Sequence, residues 1–168
     1  MDAIQMLIRF SNSYPAIWGM LTGVCYIIGF CLSLKAVYSL KIYGDMRTMT
    51  STQTSIMGPL TMFIVAAVLI FIPSAFHVLN YTVFGYNSPL SYTQAQTTIN
   101  PVVIKALVGI VQIVGLIAFI RGWLILSAHA QHPGGQATLG KALTHIIGGL
   151  LAVNILGVVD VIWNTFVG

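Results

Sequence analysis

Four histidines are the side chains of this sequence that could hold a metal ion or a haem. His129 and His132 have the spacing of half a zinc site, but no Cys, Asp or Glu lies close enough in sequence to complete four ligands. His77 and His145 could ligate one haem only if both faced the same iron, and the spans described below predict them near opposite membrane faces. We therefore expect neither a metal site nor a bound cofactor.

This chain has very few side chains that could perform acid–base or nucleophilic catalysis. Asp2, Asp45 and Asp160 are its three acidic residues, and the sequence contains no carboxylate pair, no nucleophile beside a base and no phosphate-binding glycine loop. The net charge of +4 comes from basic residues that flank apolar runs, and they form no basic stripe of the kind that binds nucleic acid. The sequence predicts a protein that is not an enzyme.

Lys105 and Asp160 are the two charges that lie inside apolar runs. Each lies about one turn inside the outer end of its run, so an antiparallel hairpin would bring them to a similar depth. An unpaired charge in mid-membrane costs on the order of 3 kcal/mol, and less near the interface. We expect an intramembrane ion pair with a structural or assembly role. A proton or ion relay is the alternative, although a relay normally needs further ionisable groups at membrane depth.

The elements that position these residues follow from an extreme composition. A soluble domain is about 25% charged, whereas this chain of 168 residues is 6% charged and 57% hydrophobic. Its charges lie almost entirely at the ends of four apolar runs, each long enough to cross a bilayer as a helix. The sequence predicts an all-α, polytopic membrane protein with a single domain over residues 1–168. Its four transmembrane helices are expected at about 16–38, 59–78, 102–121 and 142–163.

Prolines, charges and polar segments set these boundaries. Pro15, Pro59 and Pro101 suit the first turn of a helix, where the missing N–H has no intrahelical partner to lose. Arg121 predicts the end of the third span. Loops are expected at 43–55, 79–100 and 127–140.

The distribution of positive charge predicts the orientation. Basic residues in short loops favour the cytoplasmic side of a membrane. Five of them belong to the loops after the first and third spans: Lys35, Lys41, Arg47, Arg121 and Lys141. The opposite side has only Arg9 and Lys105. The bias predicts a multi-pass protein whose first and third loops are cytoplasmic. An even number of spans then places both termini on the other side, which in a bacterium is the periplasm.

Small residues at helix-packing spacing predict close contact with other helices. Gly-x-x-x-Gly and Gly-x-x-x-Ala patterns occur in the first and fourth spans, and helix association in lipid depends on such close approach. Each pattern alone is equally explained by the abundance of glycine in membrane helices. Together they favour a subunit of an assembly, present in several copies, over an isolated monomer. The positions expected to pack are Gly19, Gly23, Gly148, Gly149, Ala152 and Asn154.

The second half of the chain has the most specific sequence signal. An apolar span ending in Arg121-Gly122-Trp123 is followed by a glycine-containing loop and then by TLGKALTHIIGGLLAVN at 138–154. Over about residues 101–163 this pattern resembles the C-terminal hairpin of inner-membrane proteins of the Dot/Icm type IVB secretion system. The resemblance is to the IcmC/DotE and DotV family and to the related TraQ-like proteins of conjugative plasmids. The first two spans match that family only in number and hydropathy.

The resemblance implies a non-enzymatic structural subunit of a machine for protein secretion and effector translocation, which is a virulence function. Its partners would be membrane lipids and other polytopic secretion-system proteins, such as a DotA-like protein, with no nucleic acid bound. By analogy with conjugative pilin-type subunits, Arg121 and Lys141 could line a passage or lie in a cytoplasmic loop.

Two other classes remain open from the residues. A small transporter or ion channel would need broken helices with polar groups at the midplane, for which Asn154 and Pro73 are candidates. A haem-bearing membrane anchor is the other alternative, and the predicted depths of His77 and His145 weigh against it.

Overall fold

A computed structural model describes residues 3–49, 56–72, 74, 78, 81–82, 101–131 and 138–166. Every regular element in these ranges is an α-helix, so the all-α class predicted from composition is confirmed there. The helices are α1 (Ala3–Met49), α2 (Met57–Ile70), α3 (Pro101–Gln131), α4 (Leu139–Val153) and α5 (Ile155–Phe166).

Helix α1 is longer than the first predicted span. It begins at Ala3, so Pro15 lies inside it, and the prediction that Pro15 marks its first turn is wrong. It also continues to Met49 through half of the expected loop, because the single Gly44 weakens a helix by only about 1 kcal/mol and does not end it. At 1.5 Å per residue α1 extends about 70 Å, against about 30 Å for a bilayer's hydrocarbon core. Helix α1 is therefore long enough to project beyond both faces of a membrane.

Helix α2 begins where the sequence predicts and ends early. Gly58 and Pro59 lie buried in its first turn, and Phe71 caps its end. Beyond this cap, the described residues Ile72, Ser74 and Val78 are again helical. The helix extends about 21 Å, less than the bilayer core, and much of the predicted remainder to residue 78 lies outside the described residues.

Helix α3 continues past its predicted end. Arg121 was expected to close the span, but the helix runs ten residues further, to Gln131. The apolar stretch Trp123-Leu124-Ile125-Leu126 contains no residue that breaks a helix, and the first such signal is Pro133-Gly134. The expected loop at 127–140 therefore begins later, and Arg121 is an exposed side chain within a helix.

The fourth predicted span is broken in two. Thr138 caps the start of α4, with its Oγ1 accepting a 3.3 Å hydrogen bond from the Lys141 N–H. At Asn154 the chain turns by 86° before α5 begins. The continuous helix expected over 142–163 is therefore absent, although the bent pair together is long and apolar enough to count as one broken span.

The four longer helices form two hairpins that share one core. Helix α3 packs most extensively on α4 and α1 on α2, while α2 and α1 both contact α3. Gly58 lies against the Ala130 carbonyl group, and Tyr14 lies against Gly109. The starts of α1 and α3 are thus at one end of the bundle, and the start of α2 and the end of α3 are at the other. The shared core contains Cys25, Val65, Leu69, Ile72, Leu116, Phe119, Ile120 and Val153.

Two helical segments of the described chain are long and apolar enough to cross a membrane. They are Asn12–Thr48 in α1 and Val103–Gln131 in α3, and the bent pair α4–α5 would be a third. This is consistent with an integral membrane protein, as the composition predicts.

Candidate functional site

A buried asparagine lies where α4 and α5 separate. The backbone N–H and the side-chain Nδ2 of Asn154 both donate to the Leu150 carbonyl oxygen, at 3.2 and 3.1 Å. The Asn154 carbonyl oxygen then accepts from Val158 N–H at 3.0 Å, which starts α5. The two backbone bonds span four residues, as in a regular helix, so the bond from Nδ2 is the additional one, and such local side-chain bonds compete with helical hydrogen bonding. Asn154 thus ends one helix and begins the next.

Gln112 of α3 binds the backbone beside this break. Its Nε2 donates to the Val153 carbonyl oxygen at 3.1 Å, and its Oε1 accepts from the Tyr14 hydroxyl at 2.7 Å. Tyr14 is 8% exposed and Gln112 only 3%. We call Tyr14, Gln112, the Val153 carbonyl group and Asn154 the buried polar cluster. It connects α1, α3 and α4 inside the bundle.

The buried polar cluster stabilises the bend because the last carbonyl groups of a helix have no partner within it. An unsatisfied backbone polar group in hydrocarbon costs several kcal/mol, and Gln112 removes that cost at Val153. Neither Tyr14 nor Gln112 was predicted from the sequence as a site residue. The available signal was that Gln112 and Lys105 are the strongly polar residues of the third apolar run, and Gln112 lies near its middle.

A seam of small residues fixes α3 against α4. A Cβ added at Gly149 would lie 2.5 Å from the Phe119 nitrogen, and one added at Gly115 would lie 2.8 Å from the Ala152 Cβ. A Cβ added at Gly122 would lie 2.7 Å from the backbone nitrogen of Ile146. The two backbones are therefore in direct contact, which only glycine permits at these positions. The relevant spacing is seven residues, in Gly115 to Gly122 and in Ala142 to Gly149.

The predicted packing residues fall into two sets within the chain. Gly149 and Ala152 contact α3, and Asn154 is buried at the bend. In contrast, a Cβ on Gly19, Gly23 or Gly148 would meet no described atom within 4 Å. If these three glycines pack against a helix, the described part of this chain does not supply it.

The predicted pair of Lys105 and Asp160 is not tested by the described residues. The prediction required the last span to run antiparallel to α3 along its whole length, whereas α5 turns away by 86° before Asp160. Lys105 is exposed on α3, and the side chain of Asp160 lies outside the described part of α5. The ion pair therefore stays a prediction.

The described histidines and both loop cations lie at least nine residues from Gln112 or Asn154 along α3 and α4. His77 and His132 are outside the described residues, while His145 is half-buried on α4, with Nδ1 2.8 Å from the Lys141 carbonyl oxygen. Among the described residues, no group of three or more His, Cys, Asp or Glu side chains could hold a metal ion. Arg121 and Lys141 are both exposed.

No protein-family model matches the chain, and no curated protein or solved structure is significantly similar to it. The buried polar cluster offers two amides, a phenol and backbone groups, which exchange hydrogen bonds but supply no charge. Such a cluster can fix a broken helix or contact a small polar solute.

Proposed function

We propose that this chain is a non-enzymatic, multi-pass subunit of the bacterial inner membrane that packs with other polytopic subunits of a type IVB, Dot/Icm-like secretion apparatus. In this role it helps to build or stabilise the translocation channel. The exposure of α1 supports the proposed role in an assembly, because only 11% of its most apolar stretch is buried within the chain. The identity of the apparatus is inferred from the resemblance of residues 101–163 to the Dot/Icm hairpin.

In the proposed topology α1 and α3 cross the membrane in one direction, and α2 and α4 return in the other. Both termini are periplasmic. The position of Gly58 beside Ala130 supports this, because it brings the start of α2 and the end of α3, which adjoin the first and third connections, to one end of the bundle. These are the connections that the basic residues favour for the cytoplasm. Alkaline phosphatase fused after Gly168 should be active, and green fluorescent protein at the same site should be dark. The reverse pattern would contradict the topology.

The face around Gly19 and Gly23 is the proposed contact with a neighbouring subunit. No described atom of the chain occupies the space beside either glycine, so another helix can approach α1 closely there. A DotA-like polytopic protein and further copies of this chain are the proposed partners. Other occupants, including lipid alone, are outcomes of the test below.

Affinity purification from native membranes tests the assembly role. Gly19→Leu with Gly23→Leu should abolish co-purification of the partner subunits and effector secretion, because two bulky side chains fill the contact. Gly44→Leu is the matched control, since Gly44 is also open and lies on the same helix outside the proposed contact. Purification of the wild-type chain alone and as a monomer, with secretion unaffected by its deletion, would refute the proposal.

A second candidate function is a small transporter or ion channel. The observation that favours it is the broken α4–α5 segment with buried polar groups beside it, since transporters build solute sites at broken helices. Proteoliposomes that contain only this chain should then show solute or ion flux that Gln112→Leu reduces. Absence of flux, together with recovered secretion partners, favours the assembly role.

A further inference from the structure

The closest contact between α3 and α4 fixes the register of the residues beside it. A Cβ on Gly122 would lie 3.0 Å from the Ala142 carbonyl oxygen and 2.7 Å from the Ile146 nitrogen. The two helices are antiparallel neighbours. In such a pair, the residues that immediately precede the contact residues lie on the same flank of the seam, because a two-fold axis perpendicular to the pair relates them.

Three basic side chains precede these three contact residues. They are Arg121, Lys141 and His145, which we call the basic flank. Arg121 and Lys141 are exposed, and His145 is half-buried. The basic flank therefore faces outward from the hairpin, away from the core shared with α1 and α2.

The basic flank has no countercharge from its own hairpin. The sequence of α3 and α4 contains no Asp or Glu, and the acidic residues of the chain are Asp2, Asp45 and Asp160. Arg121 also lies ten residues before the end of an apolar helix, where an unpaired guanidinium in lipid is costly. An anion from outside the chain at this depth would relieve that cost.

His145 adds a hydrogen-bonding group of defined polarity. Its Nδ1 lies 2.8 Å from the Lys141 carbonyl oxygen, and a carbonyl oxygen only accepts, so Nδ1 is the nitrogen that donates. In a neutral imidazole, Nε2 is then the acceptor. The basic flank thus combines two cations for a phosphate with one acceptor for a hydroxyl group.

We propose that the basic flank binds the headgroup of an anionic glycerophospholipid whose headgroup has free hydroxyl groups, as in phosphatidylglycerol. Arg121 and Lys141 contact the phosphate, and His145 accepts from a headgroup hydroxyl. The arrangement places a planar guanidinium and an ammonium on one anion, which suits phosphate. This inference rests on the membrane embedding in the proposed function but needs no partner subunit.

Native mass spectrometry of the purified full chain in neutral detergent tests the proposal. Titrations with dioleoylphosphatidylglycerol, dioleoylphosphatidate and dioleoylphosphatidylcholine give the three affinities. We expect phosphatidylglycerol to bind more tightly than phosphatidylcholine. One basic residue near an anionic lipid contributes about fivefold in affinity, so Arg121→Gln with Lys141→Gln should weaken phosphatidylglycerol binding about thirtyfold. Arg121→Lys should retain most of it.

The matched control carries the same change of charge elsewhere. Lys35→Gln with Lys41→Gln removes two exposed cations from α1 and should leave the affinity nearly unchanged. His145→Phe should weaken phosphatidylglycerol while leaving phosphatidate, which lacks the headgroup hydroxyls, unchanged. Inorganic phosphate should not displace the lipid. Circular dichroism establishes that each variant is folded.

Two results would overturn the proposal. One is an equal loss in the α1 control and the basic-flank variant, because only net charge would then matter. The other is displacement by inorganic phosphate, which would indicate a site for a free anion. If the wild-type chain binds phosphatidylglycerol as expected but recovers no partner subunits from native membranes, only the proposed function is refuted. If it recovers the partner subunits but does not bind phosphatidylglycerol preferentially, only this inference is refuted.

Discussion

Replacing Gln112 by Leu tests whether the buried polar cluster holds the bend between α4 and α5. The change nearly conserves side-chain volume, so it removes the 2.7 Å bond from Tyr14 and the 3.1 Å bond to Val153 without opening a cavity. Hydrogen bonds between membrane helices contribute about 0.6–1.7 kcal/mol each. The loss of two should lower the free energy of unfolding by about 1–3 kcal/mol.

The same substitution should shift the bend towards a continuous helix. Without the Gln112 amide, the Val153 carbonyl oxygen can regain a partner by accepting from the Gly157 N–H, as in a regular helix. The Cα atoms of Thr144 and Thr165 would lie about 32 Å apart in a continuous helix but about 22 Å apart across a right-angled bend, at 1.5 Å rise per residue. The observed angle is 86°, so the shorter distance describes the wild type.

Pulsed electron paramagnetic resonance in nanodiscs measures that distance. Spin labels on unnatural amino acids at the exposed Thr144 and Thr165 leave the native Cys25 and Cys31 in place. Titration with sodium dodecyl sulfate gives the unfolding free energy. Gln131→Leu is the control, because the described bonds of the Gln131 amide stay within α3, to Ser127. A Gln112→Leu protein with wild-type stability and the short distance would refute this account of the bend.

Four further substitutions test the packing, the buried polar cluster and the helix cap. Gly149→Ala should lower stability by about 1–3 kcal/mol through overpacking, because the new Cβ would lie 2.5 Å from the Phe119 nitrogen. Gly148→Ala, in open space, should be neutral or stabilise by up to about 1 kcal/mol; equal thermal shifts for the two alanine variants would contradict the seam. Tyr14→Phe should cost about 0.6–1.7 kcal/mol in the same detergent titration but keep the short distance, because Gln112 still binds Val153. Thr138→Ala removes the cap of α4 and should cost about 1 kcal/mol, seen as faster amide exchange in its first turn; an unchanged rate would argue against the cap.

Composition predicts the class of this fold because the solvent sets it. A chain with few charges and long apolar runs aggregates in water. In lipid it forms helices, because a helix satisfies the hydrogen bonds of its own backbone groups. The local sequence predicts the start of α2 at Gly58-Pro59 and the start of α3 at Pro101. A proline also predicts a helix start at Pro15, but Pro15 lies inside α1. The stability of the rest of that long helix outweighs the free energy lost with one backbone hydrogen bond.

The bend at Asn154 could not be predicted from hydropathy. A window of about 20 residues averages over one asparagine, so the run from 142 to 163 looks like one span. The decision between a straight and a bent segment depends on Gln112 and Tyr14, which lie far away in sequence. Long-range contacts of this kind leave no local periodicity.

The seam was only partly predictable for a related reason. The Gly148-x-x-x-Ala152 pattern identifies the right helix, yet Gly149 is the glycine in contact with α3, whereas Gly148 meets open space. The motif shows that α4 contains small residues. It does not show which of them contact α3, because that depends on which face of α4 packs against α3. The spacing of seven between Ala142 and Gly149, repeated in Gly115 and Gly122, is the better guide.

That seam also limits how the sequence can diverge over evolutionary time. Lipid-facing Leu, Ile and Val can replace one another freely, so overall identity between distant relatives of such a protein decays quickly. Gly115, Gly122 and Gly149 cannot change without driving two backbones apart, because any added Cβ would lie within 3 Å of the facing helix. Two glycines seven positions apart, followed after a short connection by Ala and Gly at the same interval, should therefore persist in descendants that retain little other similarity.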